Sequence, residues 1–236
     1  MITQVDLDIA FGTKIFYEDG HKYIDTNTGE QLVSVTTEKK NYIHPFNPEQ
    51  VKYSAKSQGV TGEWLQAQWD EAGRIGRERG TLLHNYCQYL AYRKYTKIDT
   101  NAYPHMDNLL NQIHSFFEDY KHWKTIAVEC VIGDDVNCGQ FDRLVDDNSS
   151  VYLVDYKFQK SFKEAYKGQT MRNGYEQYPQ DTLHEYGWQM SKYKQIMENN
   201  PYLKSLDFKI AGLKLVHFNY EDTQYRIYDA PQIEII

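Results

Sequence analysis

Three consecutive strand-like segments between Thr125 and Phe158, joined by tight connections, constrain the fold of this chain more than any other feature. The segments read TIAVECVI, CGQFDRLVD and VYLVDYKF, and the connections read GDDVN and DNSS. Gly, Asp, Asn and Ser are typical turn residues, and short turns join antiparallel neighbours. The pattern therefore predicts a three-stranded antiparallel meander with a defined register.

Acidic residues interrupt these strands where apolar residues are expected. If DNSS forms a four-residue loop, Asp142 pairs with Asp155 on one face of the sheet, and Gln140 pairs with Lys157. A similar loop before Cys138 would place Glu129 opposite Asp142. Like charges across a sheet are destabilising by up to about 1 kcal/mol, and a hard cation such as Mg²⁺, Mn²⁺ or Ca²⁺ offsets that repulsion. The alternatives are an open sheet face from which the acids point into water, and a register slipped by one residue.

The remainder of the chain alternates between short strands and amphipathic helices. We expect one α/β domain over residues 1–236, with an N-terminal β-hairpin and helical elaboration over 1–60 and a core over 80–230. The glycines between 73 and 80 favour two separate helices around them. The predicted strands are KIFYE, HKYID, QLVSVT, FKIAGLKLVHF and QYRIYD, and the predicted helices are PEQVKYSAKSQ, a segment after Thr61, TLLHNYCQYLAYRKY, residues 104–123 and DTLHEYGWQMSKYKQIMENN.

Charge and cysteine content narrow the function classes. A net charge of −7 argues against a protein that coats nucleic acid by bulk electrostatics. Three cysteines without a C-x-x-C pair indicate neither a disulfide framework nor a zinc or iron–sulfur site. The absence of a long apolar run and of a leader-like N-terminus predicts a cytoplasmic, intracellular protein with no membrane partner.

Four short motifs occur in one order along the chain. They are RGTLLH, then G-x-x-D ending at Asp142, then D-x-K from Asp155 to Lys157, then WQMSKY. This set resembles the PD-(D/E)XK nuclease superfamily, in its RecB-like branch, which includes the mitochondrial genome maintenance exonucleases and many phage exonucleases. The resemblance covers about residues 80–200. It implies a restriction-endonuclease-like core with a mixed sheet flanked by helices. Phe141 replaces the proline of the superfamily's name, and the long loop from 159 to 180 lies outside the motifs.

The resemblance implies a metal-dependent catalytic site. Asp142 and Asp155 would ligate the metal with the backbone carbonyl of Tyr156, and His84 would be a further ligand or would orient one. Lys157 would hold or activate the attacking water and stabilise charge in the transition state. The implied cofactor is Mg²⁺ or Mn²⁺, as one or two ions.

Further residues would support this site. Glu129 and Gln140 would lie behind the ligands, while Gln189 and Tyr193, four apart on one helical face, would brace the site or contact the scissile strand. Basic residues on both sides of the motifs are candidates for contacts with DNA: Arg74, Arg77, Arg79, Lys160, Lys163, Lys167 and Arg172. Unpaired bases could stack on Tyr166, Tyr175, Tyr178 or Tyr186.

The expected function is that of a divalent-metal-dependent DNA nuclease that hydrolyses phosphodiester bonds. The resemblance favours an exonuclease of DNA recombination, repair or phage DNA processing, which a phage could encode and use in its host cell. Two alternatives stay open: a structure-selective endonuclease, and a non-catalytic DNA-binding protein on the same fold.

Overall fold

The strand segments of the sequence form one mixed, eight-stranded sheet in the computed structural model, which describes residues 2–20, 22–92 and 97–236. The strands are β1 (Lys14–Tyr17), β2 (Lys22–Asp25), β3 (Gln31–Ser34), β4 (Lys124–Gly133), β5 (Asn137–Asp146), β6 (Val151–Phe158), β7 (Gly212–Phe218) and β8 (Arg226–Asp229). Their order is β1-β2-β3-β5-β6-β7-β8, with β4 also paired to β5. The β3–β5 and β6–β7 pairs are parallel and the others antiparallel. The predicted mixed sheet is thus confirmed.

Helices cover both faces of this sheet. They are α1 (Gln4–Phe11), α2 (Val35–Lys39), α3 (Glu49–Gln58), α4 (Gly62–Ala91), α5 (Met106–Asp119), α6 (Thr182–Asn199) and α7 (Pro201–Ser205). Adjacent strand residues point to opposite faces: Leu144 and Leu153 join the core under α6, while Val145 and Val154 join the core under α4 and α5. None of the helices in the described ranges is both long and apolar enough to cross a membrane.

One continuous helix replaces the two predicted around the glycine-rich stretch. Helix α4 runs for 30 residues through Gly73, Gly76 and Gly80, and the side chain of Thr61 caps its N-terminus by accepting the Trp64 N–H at 3.2 Å. Each glycine costs a helix up to about 1 kcal/mol relative to alanine. Packing of its C-terminal half in the core under α4 and α5 outweighs that cost. The last predicted residues of this helix, 93–95, lie outside the described residues.

The N-terminal region holds two helices that the sequence pattern did not predict. The three predicted strands are confirmed as β1, β2 and β3. Helix α1 precedes them, in an N-terminal segment for which no secondary structure was expected. The predicted strand QLVSVT ends at Ser34, where α2 begins. The β-branched residues Val35, Thr36 and Thr37 favour a strand by local propensity. Val35 is fully buried, so tertiary packing decides this segment.

The predicted register of the meander is confirmed on both sides of β5, except that the β4–β5 pairing shifts by one residue between Ala127 and Thr125. The β4–β5 rungs include Gly133–Cys138, Cys130–Phe141 and Val128–Arg143, and the β5–β6 rungs run from Asp146–Val151 to Arg143–Val154. The flanking rungs place Glu129 opposite Asp142, as expected. Two four-residue turns were therefore sufficient to align three strands.

Two different strands pair with one edge of β5, and the residues of β5 between them have no strand partner on that edge in the described chain. This leaves an opening in the sheet. Strand β4 occupies one edge, while β3 pairs with the start of the other edge at Cys138 and β6 pairs with its end at Arg143. Residues 139–142 lie between these contacts. The predicted rungs between Asp142 and Asp155 and between Gln140 and Lys157 are not made in the described chain, because the β5–β6 ladder ends at Arg143–Val154. Asp142 and Asp155 are the first residues beyond the last rung.

Candidate active site

The opening beside β5 brings together three potential metal ligands from three elements. The ligand atoms of His84 on α4, Glu129 on β4 and Asp142 on β5 all lie within 4.8 Å of one another. His84 Nδ1 is 3.4 Å from Asp142 Oδ2 and 3.9 Å from Glu129 Oε1. The three side chains are 12–27% exposed, so water and small ions can reach them. A nitrogen and two carboxylates at this spacing could bind one divalent cation.

Strand β6, which separates from β5 at this point, fixes the orientation of the Asp142 side chain. Its Oδ2 accepts the backbone N–H of Tyr156 at 2.5 Å, just beyond the last rung of the β5–β6 ladder. A side chain thereby satisfies a donor that a longer ladder would have used. The ring of His84 packs edge-on against Phe158 with its centroid 5.1 Å away, so β6 positions both ligands.

Asp155 and Lys157 form a buried ion pair next to the three-ligand group. Burial and the neighbouring Asp142 raise the pKa of Asp155, although the Lys157 ammonium opposes that shift. Burial disfavours the charged form of Lys157, but attraction to Asp155 and Asp142 outweighs this and raises its pKa. Lys157 is therefore an ammonium in this arrangement, which suits charge stabilisation better than proton abstraction. Asp155 is not one of the three grouped ligands, and its carboxylate contacts Lys157.

Glu129 carries the strongest sign of crowded negative charge. Burial, followed by repulsion from Asp142 and Asp155, raises the pKa of Glu129 to about 8. Its backbone is left-handed, with φ of 46°, a conformation that non-glycine residues seldom adopt. The side-chain amide of Gln140 donates to the Glu129 carbonyl at 3.0 Å and so compensates for the distorted strand. Both the strain and the charge are concentrated at the proposed site.

The Q-x-x-x-Y pair on α6 forms the wall of the site. Gln189 Nε2 donates to Tyr193 Oη at 3.1 Å, and both side chains are buried. The Tyr193 ring lies directly against the backbone of Gly139: a Cβ there would be 2.5 Å from Cε1 of the ring. Glycine in the G-x-x-D motif is therefore required for the close approach of α6 to β5.

Lys39 is a site residue that the motifs did not reveal. It is the last residue of α2, is 9% exposed, and donates to Gln189 Oε1 at 3.0 Å. Its ammonium lies 5.1 Å from the ring centroid of Tyr186, and that of Lys157 lies 4.5 Å from the same centroid. Burial, then repulsion from Lys157, lowers the pKa of Lys39 to about 8. No local signal marks this lysine, because the stretch EKK reads as a solvated end of a strand.

The residues predicted to contact DNA have differing surroundings. Arg74 is exposed but paired with Glu71 and Glu78, and Lys160 pairs with Glu221. The remaining exposed candidates are Arg77, Lys163, Lys167 and Arg172.

Two candidates lie in the interior. Arg79 is buried, donates to the Pro104 carbonyl at 3.2 Å and stacks over the Tyr220 ring. Tyr175 is 1% exposed, so the prediction that its ring could stack on bases is wrong. Tyr166 is 61% exposed, while Tyr178 and Tyr186 are half-buried.

No protein-family model matches the sequence, and no curated protein gives a significant match.

Proposed function

We propose that this chain is a divalent-metal-dependent deoxyribonuclease that hydrolyses phosphodiester bonds at the opening beside β5. The observation that carries the proposal is the convergence of His84, Glu129 and Asp142, within 4.8 Å of one another, next to the Asp155–Lys157 pair. Burial, together with repulsion from Asp142 and Asp155, raises the pKa of Glu129 to about 8, and such a carboxylate is costly in a purely structural role. A bound cation removes that cost.

The donor set fits Mg²⁺ or Mn²⁺. Carboxylate oxygens are the preferred ligands of these hard cations, and an imidazole nitrogen is compatible with Mn²⁺ in particular. Asp142, Glu129 and His84 would hold the ion, and Asp155 would join them by sharing its carboxylate with Lys157. When bound, the cation supplies Lewis-acid polarisation of the phosphate and lowers the pKa of a ligated water.

The side chains around the metal position provide the other requirements of the reaction. The Lys157 ammonium, held beside Asp155, would orient the attacking water and balance the negative charge that develops on the phosphorus-bound oxygens. Asp142 keeps its orientation through the Tyr156 N–H. The Gln189–Tyr193 pair closes the wall of the site and limits its contact with bulk water.

Two further elements of the proposal rest on the motif resemblance. We assign the core to the PD-(D/E)XK fold in its RecB-like branch, and the activity to an exonuclease that acts from DNA ends. The mixed sheet with helices on both faces is compatible with that fold. The acids that lie where β5 and β6 separate are compatible with cleavage of DNA from its ends.

Cleavage of labelled DNA tests the proposal. Purified protein is incubated with linear single-stranded DNA, linear duplex and closed circular duplex, each with Mg²⁺, Mn²⁺ or EDTA. We expect metal-dependent release of nucleotides from linear DNA and no loss of the circle. Asp142→Asn and Lys157→Ala should each reduce the rate by at least about a hundredfold, while Asp135→Asn in an exposed turn should retain it.

Each outcome separates the alternatives. Nicking of the circle would favour a structure-selective endonuclease. DNA binding without cleavage, together with calorimetry that detects no divalent metal, would favour a non-catalytic DNA-binding protein. Full activity in Asp142→Asn would show that the reaction occurs elsewhere.

A further inference from the structure

Lys39 is a buried cation with no carboxylate at ion-pair distance among the described residues, although Glu185 and Asp155 attract it from farther away. Its ammonium donates a hydrogen bond to the neutral side-chain oxygen of Gln189 and contacts the Tyr186 ring. Among the described residues, no carboxylate oxygen lies within 4 Å of it, whereas the other buried lysines of this region are paired, Lys157 with Asp155 and Lys192 with Glu38. A charge removed from water without a close partner is costly, and an anionic ligand would offset that cost.

The chemistry of the Lys39 ammonium suits a phosphate. An ammonium has three N–H donors, and Gln189 uses one of them. The other two donors and a full positive charge remain, and lysine binds phosphate as a point charge without the planar geometry that arginine requires.

The position of Lys39 relative to Lys157 indicates which phosphate it could bind. Both ammonium groups lie against the Tyr186 ring, which limits their separation to about 10 Å. Lys157 is committed to Asp155 and to the reacting centre. Lys39 belongs to a different element, α2, and its ammonium is held by Gln189 and not by a carboxylate, so it is free to bind a neighbouring phosphate of the same strand.

We propose that Lys39 forms a second phosphate-binding subsite, which holds the DNA phosphate adjacent to the scissile one. This inference rests on the proposed nuclease function and adds to it a residue of the N-terminal elaboration. Lys39 is a binding residue here, not a proton donor or a metal ligand.

The subsite is preorganised by contacts that lead back to the sheet. Gln189 fixes the ammonium, Tyr193 fixes Gln189, and the Tyr193 ring rests on the backbone of Gly139, three residues before Asp142. The lysine is thereby held in register with the strand that carries the metal ligands. A binding group held in this way loses little entropy when the strand arrives.

The salt dependence of DNA binding tests the subsite. Fluorescence anisotropy with a labelled single-stranded oligonucleotide and with its duplex, in EDTA and at pH 7, gives Kd over 0.05–1 M salt. Each phosphate contact contributes about 0.7 to the slope of log K against log salt for single strands and about 0.9 for duplex. We expect Lys39→Met to lose about one such increment and to bind about five- to eightfold more weakly at 0.1 M salt, with the difference vanishing near 1 M.

Matched variants distinguish a phosphate contact from a general change in charge or folding. Lys40→Met removes the same charge from the exposed neighbouring position and should keep the wild-type slope. Lys39→Arg should keep the slope because it keeps the cation. Lys39→Gln retains a polar end group that can bond to Gln189, and it should lose the slope increment as Lys39→Met does. This variant provides the test if Lys39→Met does not fold.

The outcomes separate this inference from the proposed function. If the wild-type protein cleaves DNA but Lys39→Met and Lys39→Gln keep the wild-type salt slope, the subsite is overturned and the nuclease proposal stands. An equal loss of slope in Lys40→Met would also overturn it. Wild-type protein that neither binds nor cleaves DNA would overturn both.

Discussion

Replacement of Lys39 by methionine should make the metal-free protein more stable. Burial and the nearby Lys157 lower the pKa of Lys39 from its ordinary value of 10.5 to about 8. At about 1.4 kcal/mol per pKa unit, the charged lysine destabilises the folded state by about 3 kcal/mol at neutral pH. Methionine has similar length and no charge, so it removes that penalty. It also removes the hydrogen bond to Gln189, and an unpaired buried amide oxygen costs about 1–2 kcal/mol.

The net expectation at pH 7 is a gain of about 1–2 kcal/mol in the free energy of unfolding. The sign of its pH dependence follows from the lowered pKa of Lys39. Between pH 8 and 10.5 the unfolded chain binds the proton more strongly than the folded chain, so the stability of the wild type rises with pH across this window. The advantage of Lys39→Met should therefore shrink above pH 8. Near pH 10.5 the variant should become the less stable protein, because only the lost hydrogen bond remains.

Urea denaturation in EDTA at several pH values between 7 and 10 measures this difference. With a slope of about 1–3 kcal/mol per molar urea, the midpoint of the variant should lie roughly 0.5–1 M higher at pH 7. Lys40→Met, at an exposed position, should differ from the wild type by less than about 0.5 kcal/mol. A Lys39→Met variant that is less stable at pH 7, or whose difference does not change with pH, would refute the account of Lys39 as an uncompensated buried charge.

Three further predictions concern the strands around the opening. Gly139→Ala should lower stability by about 1–3 kcal/mol in thermal melts, because its Cβ would meet the buried Tyr193 ring at 2.5 Å; an unchanged melting temperature would contradict this contact. Mn²⁺ should bind at least about tenfold more tightly at pH 8 than at pH 6 by calorimetry, because the raised pKa of Glu129 leaves a proton to be displaced at the lower pH; equal affinities would exclude Glu129 from the metal site. Asp142→Asn should raise the melting temperature of the metal-free protein at pH 8 by relieving repulsion with Glu129, and should abolish the stabilisation by Mn²⁺; retained stabilisation would place the metal elsewhere.

The sequence predicted the meander well because turn chemistry and strand period are local. Two short turns rich in Asp, Asn and Ser fix which residues of β4, β5 and β6 face one another, and the rungs follow that register as far as the opening. Reasoning from turns and strand period fails at the two predicted rungs beyond Arg143–Val154, which are Asp142–Asp155 and Gln140–Lys157. A ladder continues only while its two strands stay adjacent, and β3 takes the edge of β5 that β6 leaves.

The continuity of α4 also depended on tertiary structure. Glycines at 73, 76 and 80 lower helix propensity enough to suggest a break. Burial of Leu83 and Cys87 under the sheet stabilises the C-terminal half of the helix, and no sequence window reveals that burial. His84 lies on the part of this helix that follows the glycines and packs against the sheet.

The sequence by itself indicated the candidate residues around a metal, because the acids recur at fixed positions in strands and their motifs occur in one order. It placed Glu129 behind the ligands, whereas the structure groups Glu129 with His84 and Asp142 and leaves Asp155 outside that group. Only the tertiary structure decided how these residues come together. The opening beside β5 exists because β3 pairs with the first part of one edge of β5 and β6 pairs with the last part of the same edge. It also brought Lys39 to Gln189, which is 150 residues away along the chain. Local periodicity shows which face of an element is buried but not which distant element will cover that face.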